Sequence, residues 1–129
     1  MDSTNEFSFI LKPSEYGIGV FATHEIKKGA YLRLFREETE PPRGIHRKRE
    51  DVPEPFNNYC LSRGDILRCP RDFGHMEVGW YMNHSDDPTV YQKDLNYYAL
   101  RNIQSGEEIT VDYNSFNEPE EDKADYYKG

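Results

Sequence analysis

Two closely spaced glycines in Gly17-Ile18-Gly19 are the first residues of this chain that could contact a ligand. Glycines let a backbone approach a bound molecule closely and offer it amide and carbonyl groups. The spacing is not the GxGxxG of a dinucleotide site, and no helix with the matching apolar rhythm follows. Taken alone, the segment is more typical of a plain β-turn.

A second cluster, Trp80-Tyr81-Met82-Asn83-His84-Ser85, combines an amide, an imidazole and a hydroxyl. The Asn83 amide both donates and accepts, so it could hold an ammonium or another amide. His84 has no partner at metal-ligand spacing, which favours a hydrogen-bonded structural histidine over a metal ligand. Ser85 lacks the GxSxG context of a nucleophile. The cluster therefore predicts a polar contact site without a metal.

A third cluster, residues 106–113, has the sequence Gly-Glu-Glu-Ile-Thr-Val-Asp-Tyr. Glu107 and Glu108 are adjacent and would point to opposite faces of a strand, so they do not form a paired acid–base site. We interpret both as turn and surface charges. Tyr113 at the end of a strand is, on its own, typical of a core tyrosine whose hydroxyl has a partner.

Charge and composition narrow the classes of function. The 129-residue chain carries 16 Lys and Arg against 24 Asp and Glu, a formal net charge of −8. Such an acidic surface repels phosphate backbones and argues against direct nucleic-acid binding. No apolar stretch is long enough to span a membrane, and the N-terminus has no secretory pattern. The length predicts one domain, and the 14% aromatic content predicts a core of few, large side chains.

The two cysteines, Cys60 and Cys69, have no CxxC spacing. This disfavours a disulfide scaffold and a structural zinc site, although a single bridge between the two stays open. We therefore expect a reducing intracellular compartment, and the sequence does not choose between cytoplasm and nucleus.

Alternating apolar residues and turn signals predict a mostly-β domain of short strands. The expected strands are residues 7–12, 20–22, 31–35, 97–103 and 109–113, with turn residues at 13–19, a hairpin across 56–69 and one short helix within 73–82. Residues 36–55, rich in charges and prolines, are expected to form a surface insertion. Residues 114–129 form an acidic tail whose aromatic residues indicate that part of it docks.

One spacing pattern occurs twice. Ala-x-x-x-Ile-x-x-Gly-x-x-Leu over residues 22–32 recurs as Ala-x-x-x-Ile-x-x-Gly-x-x-Ile over residues 99–109. Two copies cannot build a solenoid. They predict two similar hairpin units folded against one another.

In this order and separation, the three clusters are more specific together than any one of them. They resemble the motifs of the SET-domain protein lysine methyltransferases, from about Phe7 to Tyr113. The resemblance implies a mostly-β SET fold of the β-clip type, with short sheets, one or two short helices and a knot-like C-terminal threading. It places a SET domain in residues 1–113, similar to a minimal member without cysteine-rich zinc-binding flanks.

The resemblance also implies S-adenosylmethionine as the cofactor. Ile18 and Gly19 would give main-chain contacts to it. The Asn83 amide would hold its amino-acid part, and the His84 backbone would address adenine. Tyr113 matches the tyrosine nearest the transferred methyl group and is the expected catalytic residue.

Further positions follow from the same resemblance. Trp80 falls where relatives often carry a cofactor-contacting side chain, and Tyr59 where some place an active-site tyrosine. Without a zinc-bearing tail, Phe116, or Tyr126 and Tyr127, is expected to fold back over adenine.

The implied activity is methyl transfer to the side-chain amine of lysine in a protein substrate, such as a histone tail. The negative charge would attract such a basic tail, although ordinary solubility accounts for it equally well. Asp86, Thr89 and Asn114 depart from the residues common in the family, and Val111 leaves the number of methyl groups open. These departures motivate an alternative, a catalytically silent β-fold module that binds a partner peptide or a small ligand. A homodimer that covers exposed sheet edges also stays open.

Overall fold

Short runs of apolar residues, each interrupted by turn residues, keep the strands of this chain short. The computed structural model describes residues 3–15, 17–35 and 45–116. The strands are β1 (Phe9–Ser14), β2 (Gly17–Ala22), β3 (Tyr31–Leu32), β4 (Ile45–Lys48), β5 (Leu61–Arg63), β6 (Ile66–Cys69), β7 (Asn83–His84), β8 (Val90–Lys93), β9 (Asn96–Ala99) and β10 (Glu108–Val111). The 3₁₀ helices are η1 (Arg49–Asp51), η2 (Glu54–Tyr59), η3 (Val78–Tyr81) and η4 (Tyr113–Phe116).

These strands form small sheets. A four-stranded sheet has the order β1-β2-β10-β7, and two three-stranded sheets have the orders β3-β9-β8 and β4-β6-β5. All neighbours are antiparallel except β10 and β7, which run parallel. The prediction of a mostly-β architecture with short sheets is confirmed.

The repeated spacing folds as two strand–turn–strand units joined by reciprocal hydrogen bonds. The backbones of Ile26 and Ile103 bond each other in both directions at 2.8 Å. Gly29 N–H and Gly106 N–H each donate at 2.8 Å to the carbonyl of the alanine that begins the other unit. Both glycines have positive φ, +86° and +90°, which glycine adopts without steric cost. The two predicted units therefore fold against one another, but the prediction that each is a hairpin is wrong, because β2 and β3 lie in different sheets and so do β9 and β10. Each strand pairs instead with a strand of the other unit, β2 with β10 and β3 with β9.

The core lies between the sheets, and side-chain alternation along each strand defines it. In the β3-β9-β8 sheet, Leu32, Tyr97 and Ala99 point inward and are at most 4% exposed. Tyr31 and Tyr98 point to the other face, where their rings lie 5.7 Å apart. The main cluster also takes in Val20, Ala22, Ile26, Ala30, Leu34, Met82, Val90, Ile103, Ile109, Val111 and Phe116.

The start of the chain corrects a sequence expectation. The first strand is Phe9–Ser14 instead of residues 7–12, and β2 already begins at Gly17. Pro13 and the Gly17-Ile18-Gly19 segment therefore lie in strands and not in a turn. Pro13 is tolerated because β1 is an edge strand, where a missing N–H need not break a ladder.

Other boundaries also differ. Within the surface insertion expected at 36–55, Ile45–Lys48 forms a strand that pairs with β6, and Arg47 donates to Pro70 O at 2.7 Å. The assignment of the region as an insertion stays a prediction. Residues 36–44 lie outside the described residues. The hairpin forms, but its first strand is Leu61–Arg63, because the residues up to Tyr59 that were expected to begin it lie in η2. The expected short helix is the single 3₁₀ turn Val78–Tyr81.

Cys60 and Cys69 carry free thiols in this structure. Within residues 3–15, 17–35 and 45–116, no helix is long and apolar enough to cross a membrane. In the same ranges, no group of three or more His, Cys, Asp or Glu side chains is placed to hold a metal ion.

The Ile26–Ile103 contact gives a test of the fold. Ile103 is fully buried where the two strand–turn–strand units meet. Ile103→Ala should lower the free energy of unfolding by about 2–5 kcal/mol, because apolar surface is no longer buried and a cavity is left behind. Ile66→Ala is the matched control, because Ile66 is 38% exposed and should cost about 1 kcal/mol or less. Urea unfolding of both variants measures this. Equal losses would contradict the assignment of Ile103 to the core.

Candidate active site

Strand β10 brings the three sequence clusters together. Its residue Ile109 pairs with Val20 of β2, one residue beyond the Gly17–Gly19 segment. On its other side, Thr110 pairs with Asn83 of β7, in parallel. The chain then continues through Asp112 into η4, which begins at Tyr113. Segments far apart in sequence thus become neighbours in one sheet.

The Asn83 side chain is 8% exposed and joins two of these segments. Its Nδ2 donates to the Ile18 carbonyl at 3.3 Å and to Glu108 Oε2 at 2.9 Å. Both N–H groups are thereby used inside the protein. A ligand that contacts this amide therefore has to do so through Oδ1, the acceptor that an ammonium requires.

Gly19 lies beneath the same contacts. A Cβ at this position would overlap Glu108 Oε2 and would stand 3.0 Å from Asn83 Nδ2. Gly19 does not adopt a positive φ, so its backbone conformation does not require glycine. Crowding by the neighbouring side chains is what disfavours a side chain here. Ile18 beside it is 41% exposed, so this part of β2 lies at the protein surface.

The two adjacent glutamates occupy opposite sides of the strand, as predicted, but only one is a surface charge. Glu107 forms an ion pair with Arg101 at 3.1 Å, and that hydrogen-bonded partner lowers the pKa of the Glu107 carboxyl. Glu108 instead accepts hydrogen bonds from Ser14 and Asn83. The interpretation of Glu108 as a surface charge is therefore wrong.

His84 is a structural histidine in this arrangement, as its isolation in the sequence predicts. Its side chain is 3% exposed. Nδ1 accepts the backbone N–H of Tyr113 at 3.0 Å, so Nε2 is the nitrogen that donates, to Asp86 Oδ1 at 2.9 Å. The ring thereby fixes the backbone at the start of η4. The contact of the His84 backbone with adenine stays a prediction.

Tyr113 has a defined hydroxyl geometry. The hydroxyl donates to the Met82 carbonyl at 2.6 Å, and the ring lies 5.3 Å from the His84 ring. Because the hydroxyl proton points at Met82, the oxygen can act toward any further partner only as an acceptor. Both neighbours belong to the Asn-His cluster, so the position of Tyr113 depends on that cluster.

Tyr113 lines a narrow cavity of about 90 Å³. The lining is mostly aromatic and aliphatic: Phe35, Tyr59, Cys60, Leu61, Arg68, Gly79, Trp80, Met82, Leu95, Tyr97, Val111, Tyr113 and Phe116. Trp80 is held by an Nε1–H donated to Glu77 at 3.1 Å and by an edge contact with Phe35 at 5.4 Å. The cavity can therefore enclose an extended, apolar side-chain stem.

The predicted site residues divide into two groups. Trp80, Tyr113, Phe116 and Tyr59 line the cavity. Ile18, Gly19, Asn83 and His84 lie in the adjoining β2-β10-β7 sheet. The two groups meet where Met82 precedes Asn83 and bonds Tyr113.

Phe116 is 6% exposed and packs against the core, with its ring 6.3 Å from that of Tyr113. The expectation that part of the region after Tyr113 docks holds for this residue. Its placement over adenine stays a prediction, and Tyr126 and Tyr127 lie outside the described residues.

Cys60 is a lining residue that the sequence reasoning missed. Burial raises the pKa of its thiol to about 12, and the neighbouring Cys69 thiol adds to the shift. Cys60 is therefore a neutral thiol at physiological pH and adds to the apolar character of the cavity. The available signal was its position directly after Tyr59, which the resemblance already placed near the active site.

Comparison with known proteins places this arrangement in a family. Residues 17–114 match the SET domain. A curated relative, the Variant-silencing SET domain-containing protein of Plasmodium falciparum (isolate 3D7), is 29% identical over 121 residues. That alignment covers 84% of this chain and 5% of the relative, so the chain spans a small part of that protein's length.

Solved structures share the fold. A candidate histone methyltransferase of Plasmodium falciparum matches with a TM-score of 0.57 and 23% identity, over 84% of this chain and 95% of that one. A PRC2 structure, in an autoinhibited conformation bound to S-adenosylmethionine, matches with a TM-score of 0.60 and 18% identity. The match covers 84% of this chain and 15% of the PRC2 chain. Together with the family match over residues 17–114, this fold shows that the chain belongs to the SET domain family.

Proposed function

We propose that this protein is an S-adenosylmethionine-dependent methyltransferase that acts on the side-chain amine of lysine in a protein substrate. The observation that carries the proposal is the Tyr113 hydroxyl, oriented by the Met82 carbonyl within an aromatic cavity beside the Asn83 segment. Membership of the SET domain family and the fold shared with a structure that binds S-adenosylmethionine support it.

The groups around Asn83 fit that cofactor, which is cationic at both its sulfonium and its α-ammonium. Asn83 Oδ1, the Ile18 carbonyl and the Glu108 carboxylate are all hydrogen-bond acceptors. A cation is favoured where such groups converge. When bound, the cofactor would supply an electrophilic methyl group. Trp80 and Phe116, which line the adjoining cavity, are the aromatic residues proposed to contact it.

The cavity provides what a lysine nucleophile needs. A lysine amine has a pKa of about 10.4, so making it neutral at pH 7 costs about 4–5 kcal/mol in water. Aromatic walls disfavour the ammonium form and lower that pKa. The Tyr113 oxygen can then accept an N–H of the neutral amine and orient its lone pair, which is catalysis by positioning. No strong base is required of the protein, since water can carry the proton away.

A basic protein segment, such as a histone tail, is the proposed substrate class. The formal net charge of −8 favours encounter with a lysine- and arginine-rich partner at low salt. Incubation with radiolabelled S-adenosylmethionine and a panel of histones and lysate proteins tests transfer directly. Calorimetry with S-adenosylmethionine distinguishes the methyltransferase from the alternative, a catalytically silent binding module. A silent module that has lost the cofactor site would give no heat of binding.

Tyr113→Phe should lower kcat about 100-fold while the fold survives, because the amine loses the group that orients it. The lost hydrogen bond to Met82 should cost about 1 kcal/mol of stability. Tyr91→Phe is the matched control, since Tyr91 is 44% exposed on β8 and does not line the cavity. Steady-state kinetics with the best protein substrate measure both. Full activity of Tyr113→Phe would remove Tyr113 from the mechanism.

The rate should rise with pH. Because the attacking amine has to be neutral, kcat/KM should increase about tenfold per pH unit between pH 6.5 and 8.5, below the pKa of the free lysine. Tyr113→Phe should keep the same slope at a lower rate, since Tyr113 orients the amine and is not its base. A rate that does not change with pH over this range would contradict attack by the neutral amine.

Cys60 should not react as a nucleophile in the folded protein. With a pKa raised to about 12, the thiolate is a trace species at pH 7.5, so iodoacetamide should leave Cys60 unmodified over hours. In guanidinium chloride the thiol should be alkylated within minutes. Mass spectrometry of the two samples gives the comparison. Rapid alkylation of Cys60 in the native protein would contradict its enclosed position.

A further inference from the structure

Glu108 breaks the pattern of the internal repeat. It begins β10 and pairs with Phe21. The corresponding residue of the other strand–turn–strand unit is Tyr31, which pairs with Tyr98 in the same register. Tyr31 packs its ring on that partner at 5.7 Å. A carboxylate at the equivalent place cannot stabilise the sheet by aromatic packing. Its presence therefore needs another explanation.

The carboxylate connects segments that are distant in sequence. Ser14 Oγ donates to Oε1 at 2.8 Å, from the end of β1. Asn83 Nδ2 donates to Oε2 at 2.9 Å, from the start of β7. The two oxygens of one half-buried side chain are thus bonded to β1 and β7, the two edge strands of the four-stranded sheet that contains the Gly17–Gly19 segment.

Gly19 is shaped to this carboxylate. A Cβ there would overlap Glu108 Oε2 and stand 2.9 Å from Ser14 Cβ. The corresponding residue of the other unit is Asn96, which has a side chain, so the repeat itself does not require glycine. The second glycine of the Gly-x-Gly motif is therefore explained by the space that Glu108 occupies.

We propose that Glu108 is the positioning residue of the cofactor site. Its two hydrogen bonds hold the Asn83 amide and the end of β1 against the Gly17–Gly19 segment, so that Asn83 Oδ1 and the Ile18 backbone are already in place when the cofactor arrives. Preorganisation of this kind lowers the cost of binding and acts on affinity for the cofactor. The inference rests on the proposed function, because it assigns Glu108 to the cofactor of that reaction.

A positioning role and a purely structural role predict different kinetics. Glu108→Ala removes both hydrogen bonds. It should raise the KM for S-adenosylmethionine about tenfold, with kcat at saturating cofactor within threefold and the KM for the protein substrate unchanged. A purely structural role would lower the fraction of folded enzyme and therefore kcat, without moving the KM for the cofactor. An unchanged cofactor KM in Glu108→Ala would overturn the proposal.

Two variants keep the test decisive if Glu108→Ala folds poorly. Glu108→Gln can still accept from Asn83 and donate to the Ser14 hydroxyl, so its cofactor KM should stay within threefold of the wild type. Ser14→Ala removes one of the two bonds without touching Glu108 and should raise the cofactor KM about threefold. A Ser14→Ala protein with wild-type cofactor KM would count against the proposal.

Glu107→Ala is the matched control, because the adjacent carboxylate pairs with Arg101 on the opposite side of the strand and should leave the cofactor KM unchanged. Calorimetry on the wild-type protein separates the two levels of failure. If the wild type binds no S-adenosylmethionine, the proposed function fails and this inference with it. If the wild type binds and Glu108→Ala binds equally well, only the inference fails.

Discussion

The central place of β10 in its sheet is the constraint on which the rest of the site depends. This strand of four residues is antiparallel to β2 on one side and parallel to β7 on the other. Parallel neighbours cannot be joined by a tight turn, so the chain leaves β7 and passes through β8 and β9 before it returns as β10. That long connection supplies the wall of the cavity, since Leu95 and Tyr97 lie on it.

The two strand–turn–strand units form a framework with the same turns and the same reciprocal hydrogen bonds, and both glycine turns have the same left-handed backbone. Where β3 pairs with β9, Tyr31 packs on Tyr98. At the equivalent place where β10 pairs with β2, Glu108 stands opposite Phe21. The polar contacts of Glu108 are therefore built on the same hydrogen-bond framework as the aromatic packing of Tyr31.

The sequence predicts the clusters better than the elements that carry them. The apolar alternation around Tyr97 and the spacing repeated over residues 22–32 and 99–109 are local signals, and the structure has both features. The Gly-x-Gly segment suggests a turn because turn propensity is judged over neighbours in sequence, whereas its strand is fixed by pairing with β1 and β10. Glu108 carries no local signal, because its partners lie 94 and 25 residues away.

The different partners of Glu107 and Glu108 also specify the register in which β10 pairs with β2. A shift of one residue along β2 would exchange the two faces of the strand, since side chains alternate with a period of two. Glu107 would then leave Arg101 for a crowded interior, and the carboxylate beneath Gly19 would be lost to solvent. A pairing shifted by one residue would therefore lose the Glu107–Arg101 ion pair and both hydrogen bonds of the Glu108 carboxylate. The two adjacent glutamates thus favour the correct register in a strand that is too short to specify it by its length.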